Sequence, residues 1–230
     1  MRKKITTGVL LIAAVVAALS LLTPVSVEKG AKDQSRTTRQ FLPWQIAPTI
    51  SGSIRVFGLT LGESTLQEAE ELYRGGAKVS LFVEPDGQQK VEAYFDKVIL
   101  GGFGAQLVLV MDLSEEQLAA MFRRGVRVSN LGGGRKRVTL GGQDLQTVFA
   151  TPVASIAYLT RARLDGELLR KRFGEPAQRI REKQNHTTHW LYPKLGLDVA
   201  LSAEGRAVFQ YVAPKDFSRL LEPLRAQAEQ

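Results

Sequence analysis

"NHTTHWLYPKLGLDVAL", residues Asn185 to Leu201, carries both histidines of the chain and one of its two tryptophans. β-Branched and aromatic residues crowd its first half and Pro193 closes that half, a composition that reads as strand rather than helix. Along a strand successive side chains alternate faces, so His186, Thr188, Trp190 and Tyr192 fall on one side and Thr187, His189 and Leu191 on the other. The two imidazoles point apart. A metal site needs three or four converging ligands, and the helical histidine pair with its glutamate is absent, so no metal is expected. Leu195, Leu197, Val199 and Leu201 continue the period of two, Glu204-Gly205 supplies a turn, and "AVFQYV" closes an antiparallel meander. Trp190 and Tyr192 read as core or cross-strand packing. On a solvent face the same pair, with His186, makes a partner-binding patch.

Upstream of this stretch the chain alternates helix and strand signals. Ser64 or Thr65 caps a helix, Glu68 stands at capping-box spacing from Thr65, and Leu66, Ala69, Leu72 and Tyr73 share one helical face before Gly75-Gly76 stops the helix. A short strand near Ile54 to Phe57 precedes it, and two strands joined at Pro85-Asp86-Gly87 follow. "FGAQLVLVMDL" reads as a buried strand, and "SEEQLAAMFRRG" as a helix capped by Ser114. "VRVSNLGGGRKRVTLGG" reads as a hairpin with Gly132-Gly133-Gly134 at its tip. No Lys-Ser/Thr follows those glycines, so a phosphate loop is not expected. "PVASIAYLTRA" is a further strand, and "LDGELLRKRFGEP" a helix capped by Asp165 and stopped at Gly174. The tail "KDFSRLLEPLRAQAEQ" is a helix whose stripe Phe217, Leu220, Leu221 and Leu224 caps the sheet.

At the other end, Arg2, Lys3 and Lys4 precede an uncharged run from Ile5 to Leu22. As a helix rising roughly 1.5 Å per residue, that run reaches about 27 Å, close to the hydrocarbon thickness of a bilayer. The expectation is a single-pass transmembrane helix over residues 5–22, anchored in the inner membrane with its N-terminus cytoplasmic and the bulk of the chain periplasmic. The alternative is secretion to the periplasm after cleavage of a signal segment, although Ala18-Leu19-Ser20 and Val25-Ser26-Val27 are poor cleavage sites. The domain plan that follows is a membrane segment over 1–27, a linker over 28–48, a first α+β unit over 49–160, and a second over 161–230 with a helical tail. "FLPWQIAP" within the linker fits either the folded body or the headgroup region. The fold class is thus α+β: an N-terminal transmembrane helix, then antiparallel sheet with packed helices arranged as two diverged helix-plus-meander repeats.

The chain has 230 residues, 44% of them hydrophobic, enough for a substantial core. It contains no cysteine, which excludes disulfides, thiol chemistry and a lipid anchor on cysteine. A net charge of +8 raises the question of nucleic acid, but placement outside the cytoplasm argues for no nucleic acid and leaves anionic lipid or wall polymer as the candidate polyanion, against the simpler reading of a solvated mixed-charge surface with no specific polyanion. Arg123, Arg124, Arg127, Arg135, Lys136 and Arg137 gather around the glycine-tipped hairpin as the candidate polyanion contact. Paired carboxylates, Asp112 with Glu115 or Glu116 and Glu68 with Glu71, offer a glycan hydrolase as the rival class. Helix caps and polar helix faces account for them more simply.

Leu164 to Val212, with "LLRKRFGEP", "HWLYPKLGLDVAL" and "EGRAVFQYV", resembles the small repeat of the BamE (SmpA/OmlA) and β-lactamase-inhibitor-protein-like superfamily. Thr60 to Val83 resembles a diverged first copy. The chain departs from the lipoprotein members in lacking the lipidated cysteine and in having Leu164-Asp165-Gly166 where the Gly-Met-Thr helix start belongs. The resemblance implies a non-catalytic envelope module, without cofactor, that binds or assembles a protein partner through a sheet surface.

Overall fold

The structure is a computed structural model and describes residues 41–182 and 186–229. Thirteen strands and five helices are placed among them. A small antiparallel sheet holds β1 (Ala47–Pro48), β2 (Ile54–Val56) and β3 (Leu59–Thr60). The large sheet is built from β4 (Lys78–Val83), β5 (Gln89–Leu100), β6 (Phe103–Met111), β7 (Arg127–Gly132), β8 (Arg135–Thr139), β9 (Val153–Thr160), β10 (Gln178–Arg181), β11 (Thr188–Tyr192), β12 (Leu197–Leu201) and β13 (Ala207–Val212). The helices are α1 (Leu66–Tyr73), α2 (Glu115–Arg123), α3 (Gly142–Phe149), α4 (Gly166–Phe173) and α5 (Ser218–Glu229).

The large sheet runs β10-β11-β12-β13-β9-β6-β5-β4-β8-β7, antiparallel at every pairing. This corrects the expected fold class. The molecule is mostly sheet, and β9 pairs with both β6 and β13, so one surface runs through the two expected repeats. No helix among the described residues is long and apolar enough to cross a membrane. The run 5–22, on which the transmembrane, signal-anchor and inner-membrane expectations rested, lies outside the described residues.

Period-two alternation gives the sheet two faces with different roles. On the first, Leu81, Val91, Ala93, Leu107, Leu109, Ile156, Tyr158, Val199, Phe209 and Tyr211 meet Leu66 and Ala69 of α1, Leu118 and Met121 of α2, Val148 of α3 and Leu169 of α4 in one core. The small sheet joins it through Phe57, which stacks on Tyr158 at 5.0 Å and meets Tyr211 edge-on at 5.4 Å. On the second face Phe217, just before α5, and Leu220 and Leu224 of α5 pack over Ile180, Leu191 and Val212. The helix caps explain where the helices begin: Thr65 and Glu68 form the capping box of α1, Ser114 and Gln117 that of α2, and Asp165 accepts from Leu168 N in α4.

Residues 41–46, assigned to the linker from sequence, lie on the folded body. Tyr211 Oη donates to Pro43 O at 2.8 Å, and Arg172 stacks over the Trp44 ring at 4.2 Å. A side chain at Gly58 would press on Phe41, and one at Gly101 on Leu42.

Candidate functional site

The second face carries a buried polar cluster beside α5. His189 on β11 is 1% exposed, and both its ring nitrogens are engaged: Nδ1 lies 2.8 Å from Asp198 Oδ2 and Nε2 lies 2.9 Å from Glu182 Oε1. Gln210 Nε2 donates to the same Asp198 oxygen at 3.0 Å. The register explains the meeting. Asp198 is directly opposite Gln210 on β13 and opposite Leu191 on β11, one step diagonal from His189. Burial opposes the imidazolium charge, but Asp198 and Glu182 overcome that cost and raise His189 to about 9. The ring is therefore protonated at neutral pH and donates from both nitrogens. Such a histidine has no lone pair to offer a substrate proton or a metal ion. Among the described residues no group of three histidine, aspartate or glutamate side chains is placed to hold a metal.

The sequence placed His189 on the face opposite Trp190 and named no partners for it. Glu182, Asp198 and Gln210 were missed. The signal was present in part, because Asp198 interrupts "LGLDVAL" at the position that period two puts on the His189 face.

Trp190 and Tyr192 do not form a partner-binding patch. They are 6% and 5% exposed and face the first-face core, where Tyr192 packs on Phe173 and donates to Gly174 O at 3.2 Å. Arg179 stacks on the Trp190 ring at 4.0 Å. His186, the third member of the expected patch, is exposed in a left-handed turn before β11, with Nδ1 3.5 Å from Arg181 Nη2. The three residues are thus separated: two in the core and one in a loop.

The six basic residues of the hairpin region are divided as well. Arg124 is tied to Asp144 of α3 at 2.6 Å. Arg135 pairs with Glu84 at 3.1 Å and lies over the Phe82 ring at 4.8 Å, beside the Lys90–Glu92 pair at 2.7 Å. Arg123, Arg127, Lys136 and Arg137 remain exposed. Register puts Arg127 and Arg137 on the second face, with Lys136 on the first. Among them stand exposed apolar side chains: Val126 is 70%, Val128 51% and Leu131 45% exposed. This mixed apolar and cationic edge is the principal outward-facing feature of that end of the sheet.

Of the carboxylates weighed as hydrolase pairs, Glu68 and Glu71 are hydrogen-bonded within α1 and its cap. Glu68 closes the α1 capping box, Glu71 accepts from Gln67 at 3.1 Å, and Glu115 and Glu116 sit in the first turn of α2, where the helix dipole favours them. Comparison with family models, with curated proteins and with solved structures finds no match for this chain.

Proposed function

We propose that the protein is a non-catalytic binding or assembly module of the cell envelope, working in the periplasm through protein–protein contacts. The observation that carries this reading is the β7–β8 end of the large sheet, where Val126, Val128 and Leu131 are exposed beside Arg123, Arg127, Lys136 and Arg137. Clustered apolar side chains rimmed by charge mark an interaction surface rather than scattered exposure. The resemblance of Leu164 to Val212 to a superfamily of envelope assembly factors and inhibitors supports the same reading.

A polyanion is the second reading, favoured by the four exposed cations at this edge. The two readings separate by what the apolar residues do. Affinity capture from crosslinked envelopes, comparing the wild type with a Val128→Asp/Leu131→Asp variant, is expected to recover a stoichiometric protein that the variant loses at least tenfold. Capture of wall polymer or anionic lipid instead, abolished by about 300 mM salt and unchanged in the variant, contradicts the protein-binding reading.

A further inference from the structure

We infer that the β7 edge takes an extended segment of a partner protein as an eleventh strand, and that the segment alternates apolar and acidic residues. The inference rests on the binding-module reading and specifies the partner for the same edge.

The two ends of the large sheet are treated differently. β10 is four residues long, and its Ile180 lies beneath α5, which blunts that edge. β7 has six residues, pairs with β8 on its inner side, and has no described element on its outer side. Its outer backbone N–H and C=O groups are positioned to continue the ladder.

The side chains specify what would fit. The apolar row Leu81–Val138–Val128 runs across β4, β8 and β7 on the first face; Leu81 and Val138 are fully buried while Val128 is half exposed. The row ends in solvent, and an apolar residue on an added strand would extend it. On the second face the same edge presents Arg127, with Arg137 one strand inward, and an acidic residue on the added strand would meet them. Because side chains alternate faces, both demands on one strand yield apolar–acidic alternation. A second copy of this chain is the wrong partner: edge-to-edge pairing would set Arg127 and Arg137 against the same cations.

The test uses the full chain and fluorescently labelled eight-residue peptides read by anisotropy. One peptide alternates valine and glutamate, a second replaces glutamate with lysine, and a third and a fourth carry N-methyl groups on alternate backbone nitrogens of the first, one in each of the two registers. The first peptide is expected to bind at least tenfold more tightly than the lysine peptide and than the N-methylated register whose methyl groups face β7, and to weaken at least tenfold between about 50 and about 300 mM salt and in Val128→Asp. A Val128→Thr variant, which keeps a β-branched residue, is expected to retain binding. Equal binding of the parent and both N-methylated registers overturns strand addition, and equal binding of the glutamate and lysine peptides overturns the acidic pattern. If no peptide binds while envelope capture still depends on Val128 and Leu131, strand addition falls and the binding-module reading stands. If capture fails too, both fall.

Discussion

His189 holds its proton because two carboxylates outweigh the burial that opposes the charge, and this has a consequence for stability. Its folded pKa of about 9 lies above the ordinary 6.5, so the cluster stabilises the fold fully below about pH 6.5 and loses that contribution as pH rises through 9. The difference corresponds to roughly 3 kcal/mol. Urea unfolding is expected to show stability falling between pH 6.5 and pH 9.5, and Asp198→Asn is expected to cost about 3 kcal/mol at neutral pH and to flatten that fall. An unchanged slope in the variant would remove Asp198 from the account. Gly196, at φ 60, turns the chain from β11 into β12 where a side chain would collide with Val212 O. Gly196→Ala is expected to cost about 2 kcal/mol or more, read by the same unfolding curves. Individual residues were only partly legible in the sequence. Alternation put His189 and Trp190 on opposite faces, yet Glu182 lies in a stretch with no periodic pattern, and only the strand register reveals that Asp198 and Gln210 face each other.

At the scale of elements, what carried a local chemical mark could be read. Capping residues located α1, α2 and α4, and glycines located the β7–β8 tip, where Gly132, Gly133 and Gly134 all have positive φ. Four elements were not read, the two-residue strands β1 and β3 among them. α3 begins at Gly141 without a side-chain cap, and β10 is a four-residue strand with three exposed positions. α5 shows how packing fixes an element: Leu220 is fully buried and Leu224 nearly so, both above Ile180 and Leu191. Leu220→Ala is expected to cost about 3 kcal/mol in chemical denaturation while partner capture at β7, at the opposite end of the sheet, is retained under native conditions.

At the scale of the whole molecule, the sheet order was beyond the sequence because pairing β9 with both β6 and β13 is a long-range choice that no local pattern encodes. The same holds for residues 41–46, whose place on the body is fixed by Tyr211 and Arg172, far away in the chain. Tyr211→Phe leaves Pro43 O without its donor and is expected to cost about 1 to 3 kcal/mol and to speed proteolysis near Trp44. The sheet that results closes one edge with α5 and leaves β7 open, and the account stands on that open edge meeting a protein. The most direct measurement is photo-crosslinking in intact cells from a reactive side chain placed at the half-exposed Val128, compared with one at Ile50, which is fully exposed but belongs to the turn between β1 and β2. An open β7 edge that meets a protein gives a discrete protein adduct from Val128 that Ile50 does not give; no adduct from Val128, or the same adducts from both positions, would contradict it.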